Sequence, residues 1–212
     1  MGNLPRLEQR WLGHCRANRV TLAAAEAGWN RLVEGYGAAS RHYHNFDHLD
    51  HCLRLLDEHS GLVANPTAVE FAIWFHDCVY DSRCHDNEAR SAAVAHDFFH
   101  LDEVLGEEVA QLILITEHRK QPPAGDPEMI VDIDLAILGA SPDVYAAYAS
   151  NVRREYSWVA PDDYRAGRCR VLKGFLERDR IYNAACFREA YDMQARENMQ
   201  LELDRLLDEN AL

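Results

Sequence analysis

Apolar residues recur three and four positions apart along almost the whole chain, while alternating runs bounded by two-residue glycine turns are nearly absent. This pattern predicts an all-α fold, with helices over 4–17, 20–35, 45–59, 67–78, 87–100, 105–118, 127–138, 142–156, 161–179 and 184–209. Thr67 followed by Glu70 has the spacing of a capping box, with Pro66 just ahead of it. Asp126-Pro127 and Ser141-Pro142 each pair a capping side chain with a proline at the first helical position, where no amide hydrogen is needed. Gly139 suits a left-handed helix stop, and Gln121-Pro122-Pro123-Ala124-Gly125 cannot continue the helix before it. The segment from Ser157 to Tyr164 reads as a helix junction. On the last helix Tyr191, Ala195, Met199, Leu203 and Leu206 fall on or near one side, which suits core packing or a homodimer contact.

Composition narrows the class. A chain of 212 residues is one domain at roughly 150 residues per domain, so the expectation is a single helical domain over 1–212. With 48% hydrophobic and 27% charged residues, disorder and low-complexity scaffolds are excluded. No apolar run approaches the ~18 residues of a membrane span, and the N-terminus lacks the basic start and apolar stretch of a signal peptide. The expected setting is therefore the cytoplasm, with no membrane partner. Six cysteines without a C-x-x-C pair fit reduced thiols there. A balance of 22 basic against 35 acidic residues, net −13, repels duplex nucleic acid. A phosphorylated substrate would need local positive charge, for which Arg41, Arg119 and Lys120 are the candidates.

Three stretches carry the chemistry. Four of the eleven histidines, His42, His44, His48 and His51, fall within ten residues. His44 and His48 are spaced i, i+4 and would share a helix face if the helix begins early enough, with Leu49, Leu53 and Leu56 turning that edge inward. The second stretch, Glu70 to Asp81, is an apolar helix ending in adjacent His76 and Asp77. His76 continues the stripe of Val69, Ala72 and Ile73, and a buried carboxylate beside it calls for a metal or an ion-pair partner. In the third, Met129 to Leu138, Asp134 shares a face with Ile130, Ile137 and Leu138. Asp132 lies about 160° away and fits a charge favoured by the helix dipole. Asp134 is the preferred buried ligand, with Asp132 in reserve.

Read in order, these give His, then His-Asp, then Asp, on three separate helices. This set resembles the HD superfamily of metal-dependent phosphohydrolases, and the resemblance implies a helical bundle whose metal is held by His48, His76, Asp77 and Asp134. Tyr43-His44-Asn45 followed by His48 is similar to the Y-H-N-x-x-H motif of cyclic nucleotide phosphodiesterases, which implies His44 as general acid. Arg41 to Asn45, Phe75 to Asp77 with Tyr80-Asp81, Asp86-Asn87-Glu88, and Asp134 to Gly139 resemble a bacterial subgroup of HD phosphohydrolases. The resemblance covers about 40–140, with 1–39 and 141–212 as flanking helices. Asp81, placed among the catalytic residues, stands near a position where related groups carry His or Glu. Arg41, Asn45, Asn87 and His118 complete the set as substrate contacts. His118 also reads as a second metal ligand or as a cation favoured at a helix C-terminus, and Asn87, with Asp86, also as a helix cap.

Two imidazoles and two carboxylates suit Mn²⁺, Fe²⁺, Co²⁺, Ni²⁺ or Zn²⁺, with Mg²⁺ a further candidate. The expected activity is hydrolysis of a nucleotide or other small phosphate ester or anhydride by a metal-activated water, with His44 protonating the leaving group. Two other readings remain open. One is a di-iron oxygenase on the same scaffold, which needs two further ligands from among His85, His96, His100 and His118. The other is a binding or signalling module that holds metal without turnover.

Overall fold

The computed structural model describes residues 3–208. These residues form ten α-helices and no strand: α1 (Leu4–Ala17), α2 (Leu22–Tyr36), α3 (Phe46–His59), α4 (Pro66–Phe75), α5 (Asn87–Phe98), α6 (Glu103–Leu114), α7 (Asp126–Leu135), α8 (Pro142–Glu155), α9 (Pro161–Leu176) and α10 (Ala185–Asp208). All ten expected helices are present. Helices α4, α6, α7 and α9 end three or four residues earlier than expected, and after α6 and α7 the last turn tightens into a 3₁₀ turn, at 115–117 and 136–139.

Several start and stop signals act differently from expectation. Asn65, not Thr67, caps α4: its side chain accepts from the Ala68 amide, and Pro66 takes the first helical position. Thr67 lies inside the helix and donates to Asn18, while Glu70 accepts from Arg10 and Trp74. The Asp126 carboxylate accepts from the backbone amides of Ala64 and Asn65 at 2.7 and 2.8 Å, tying the start of α7 to the start of α4. Ser141 stands at the N-cap of α8 without a side-chain capping bond. Among the described glycines only Gly125 has positive φ; Gly139 serves close packing instead.

The chain divides into two compact units, one up to Ile133 and one from Asp134 onward. In the first, α4 is the central helix: Ala68, Val69 and Phe71 to Phe75 are all buried, and it packs against α3, α5 and α6. Such a helix is apolar on every side because it has no solvent face. Trp11 of α1 meets Phe71, Trp74, Phe75 and Phe98 at ring separations of 5.4–5.8 Å. Its indole donates to the Ala25 carbonyl at 2.7 Å, which ties α1 to α2. Buried aromatic contacts of this kind add to the area they remove from water.

In the second unit, Ala195, Met199 and Leu203 are buried, so the apolar stripe of α10 is core. Asn198 donates to the carbonyls of Leu138 and Ala140 at 2.9 and 2.8 Å. Arg168 grips Glu202 through both carboxylate oxygens, at 2.8 and 2.9 Å, and Tyr145 donates to the same carboxylate. A Cβ on Gly139 would stand 2.6 Å from the Cβ and the carbonyl oxygen of Tyr191. Because backbone must move to admit it, Gly139→Ala is expected to destabilise the second unit by about 1–3 kcal/mol, read as a lower urea midpoint.

His14 of α1 gives a pH dependence. Its ring lies 4.2 Å from Phe71, and Nδ1 is 3.6 Å from the Glu70 carboxylate. Burial lowers its pKa below the ordinary 6.5, outweighing the opposite pull of Glu70. The folded state thus favours neutral His14, so its contribution is complete above the unfolded value and is lost as pH falls through the folded one. Urea midpoints should begin to drop as pH falls below the ordinary imidazole value of 6.5, and His14→Gln should flatten that slope. An unchanged slope in the variant would assign the acid sensitivity elsewhere.

Candidate metal centre

The first stretch folds around Asn45. Its side chain accepts from the Asp47 amide and donates to the His42 carbonyl at 3.1 Å, so α3 begins at Phe46. His44 therefore precedes the helix, and the expected shared helix face with His48 does not form. The two rings still lie 6.1 Å apart, with His44 stacked on Tyr80 at 4.0 Å and edge-on to Tyr43. His48, in the first turn of α3, points into the core, its side chain 1% exposed.

The second stretch ends α4 at Phe75, and His76 is its C-cap. His76 Nδ1 lies 2.8 Å from the Ile73 carbonyl. A carbonyl can only accept, so Nδ1 carries the proton and Nε2 presents a lone pair in the neutral ring. This is the arrangement that metal-ligating imidazoles use to fix their tautomer. Nε2 of His76 is 3.1 Å from Nε2 of His48 and 3.2 Å from Oδ2 of Asp77, and that oxygen is 3.8 Å from His48 Nε2. Three donors from two elements thus converge, with His76 3% and Asp77 13% exposed at the side chain. Donors held at roughly 2.0–2.1 Å from one cation in tetrahedral geometry stand roughly 3.3–3.4 Å apart. The observed separations bracket that spacing, and nitrogen with carboxylate oxygen is a fitting donor set for a divalent transition metal.

The backbone beyond His76 is held from several sides. The Asp77 amide donates to the Tyr36 hydroxyl at 3.2 Å, and burial, with Asp77 nearby, keeps that phenol protonated. Arg41 donates to the carbonyls of His44, Asp77 and Cys78. Ser91 accepts from the Val79 amide at 3.1 Å and donates to the Val79 carbonyl at 3.2 Å. Asn87 accepts from the Asp81 amide at 2.9 Å and donates to the Asp81 carbonyl at 3.0 Å. A Cβ on Gly35 would stand 2.3 Å from the Cys78 carbonyl oxygen, so only glycine lets α2 approach this turn.

The remaining expected residues take varied places. Asp81 is exposed, and its carboxylate accepts from the Arg83 amide. Asn87 is buried, with its amide engaged on Asp81 as above. His118 is half-buried, with left-handed backbone (φ 56°) at the end of the 3₁₀ turn after α6. The expected burial of the two aspartates on α7 is reversed: Asp132 is 0% exposed, while Asp134, the first residue of the second unit, is only half-buried. Met129, Ile130, Val131, Ile133 and Leu135 are all buried, so helical periodicity could not tell an inner from an outer face here.

Sequence reasoning missed Tyr36, Ser91 and Cys52. The Cys52 sulfur sits one turn beyond His48, 3.8 Å from each of its ring nitrogens, and the i, i+4 spacing was the available signal. His51, on the same helix, has its pKa pushed down to about 4, first by burial and then by His48 and Arg54. It is neutral at physiological pH.

Compared with known protein families, curated proteins and solved structures, the chain matches none. Among the described residues, no helix is long and apolar enough to cross a membrane.

The clasp of Asn87 on Asp81 is testable by itself. Asn87→Ala removes two side-chain hydrogen bonds to backbone, each of which contributes about 0.5–1.5 kcal/mol, and should lower the thermal midpoint accordingly. Wild-type stability in that variant would show the clasp to be energetically idle.

Proposed function

We propose that the chain is a metal-dependent phosphohydrolase acting on a small phosphorylated substrate, with His48, His76 and Asp77 as metal ligands. The observation that carries this reading is the convergence of the two imidazole Nε2 atoms and the Asp77 carboxylate within 3.1–3.8 Å, with the His76 tautomer fixed by the Ile73 carbonyl. Two imidazole nitrogens and a carboxylate oxygen at this spacing form a donor set that suits a divalent cation, which would engage all three at once. The HD resemblance supplies the reaction class.

When bound, such a cation polarises a phosphoryl oxygen and makes water a competent nucleophile near neutral pH. The protein's own part in proton transfer falls to His44. Stacked on Tyr80 and 6.1 Å from His48 ring to ring, it has a fixed orientation beside the donor cluster and can deliver a proton to a leaving oxygen. Positive charge for the substrate has to come from groups such as Arg119 and Lys120. Both are exposed and line a cavity with Gln111, Leu114, Ile115 and Glu117.

Elemental analysis of the purified protein, together with a metal-by-substrate screen over phosphate esters and anhydrides, tests the reading. Wild type should hold a stoichiometric divalent cation and turn over part of the panel, and Asp77→Ala should lose both. His44→Ala should keep its metal and lose roughly 10²–10⁴-fold in rate. A normally folded chain without a cation, or full activity in Asp77→Ala, would end the proposal.

A further inference from the structure

We propose that Arg41 is a positioning residue of this metal centre, setting the spacing between the His44–His48 segment and the His76–Asp77 turn through their backbone rather than binding substrate. The inference rests on the metal-centre reading and deepens it. Arg41 is 8% exposed, too enclosed to serve as an anion clamp open to solvent. One terminal nitrogen donates to both the His44 and Asp77 carbonyls, and the other donates to Cys78 at 3.2 Å. The guanidinium carbon lies 5.3 Å from the Tyr36 ring centre and 5.7 Å from that of Tyr80. Tyr36 receives the Asp77 amide, and Tyr80 stacks on His44. Arg41 thus touches, directly or through one ring, both segments that supply donors and the ring that orients His44.

The location is physically demanding. A fixed positive charge near a cation site opposes metal binding, so electrostatics alone would make Arg41 a liability there. What compensates its burial is the set of three carbonyls it reaches, those of His44, Asp77 and Cys78, the last two just beyond the C-terminal end of α4, where a cation is favoured. A planar fork with several donors can reach three carbonyls on two segments, whereas an ammonium is a single point. The two effects of Arg41 on the metal have opposite signs: its charge weakens binding, and its positioning strengthens it. That opposition makes the proposal decidable.

The experiment is titration of metal-free protein with Mn²⁺ and with Zn²⁺ by calorimetry, for wild type, Arg41→Met, Arg41→Lys and Arg41→Ala, with helicity monitored by circular dichroism. Removing a group that orients metal ligands typically costs about 10–100-fold in metal affinity. That loss is expected in Arg41→Met, with a smaller one in Arg41→Lys. In Arg41→Ala, guanidinium ion at concentrations far below denaturing should restore part of the affinity, a rescue that general loss of packing would not show. Unchanged or tighter binding in Arg41→Met, tighter being what charge repulsion alone gives, would overturn the assignment. If the Met and Ala variants fail to fold, Arg41→Lys decides: weaker binding supports positioning and wild-type affinity refutes it. A wild type that takes up neither metal would instead bring down the metal-centre reading, and this inference with it.

Discussion

The close approach of His48, His76 and Asp77 is the constraint around which the first unit is arranged. Three polar groups stand within 3.1–3.8 Å of one another, two of them almost wholly buried, and burying such groups costs free energy that their surroundings have to offset. Such a cluster persists only where the surrounding backbone leaves it no alternative. The side chains of Tyr36, Arg41, Ser91 and Asn87, from α2, the loop after it and α5, fix the backbone at Asp77, Cys78, Val79 and Asp81. The central helix α4 is surrounded by packed aromatic rings and cannot shift to relieve the crowding at its end.

This arrangement separates two jobs that a sequence pattern tends to merge. Residues near a ligand motif look alike as candidates for substrate contact, yet here several are spent on backbone. Asn45 caps α3 and fixes where the helix starts, Asn87 clasps Asp81, and Arg41 spans two segments. Each is polar and close to the cluster, and each has its hydrogen-bonding capacity directed at main chain. Rigid placement of donors is what a preorganised site requires, and these hydrogen bonds to main chain supply rigidity beside the cluster.

The fold class and the helices were legible because helical periodicity holds over nearly the whole chain and prolines mark the starts of α4 and α8. The inward His76 and Asp77 were legible from an apolar helix ending in a His-Asp pair, whereas their pairing with His48 was implied only by the HD resemblance. Other features depended on tertiary geometry that local patterns do not encode. Asn65 caps α4 in place of Thr67 because Pro66 occupies the first helical position. Gly139 is needed by the approach of Tyr191, far along the chain. Tyr36 and Ser91 gave no local signal, since a phenol and a hydroxyl on helix faces resemble ordinary core and surface residues until the turn they hold is seen.

The reversal on α7 shows where the helical wheel loses its power. A wheel assigns faces by contrast between apolar and polar sides, and α7 is apolar nearly all round, so its two carboxylates looked like one inner and one outer group. In the structure Asp132 is fully buried and Asp134 half-buried. Burial alone does not identify a ligand, however: a carboxylate that exchanges with solvent metal needs some access, and Asp77, the carboxylate already in the donor cluster, is itself partly exposed at 13%. By that criterion the half-buried Asp134 resembles Asp77 more closely than the sealed Asp132 does. On a helix that is apolar nearly all round, access to solvent is therefore set by what packs against each carboxylate and not by its place on the wheel.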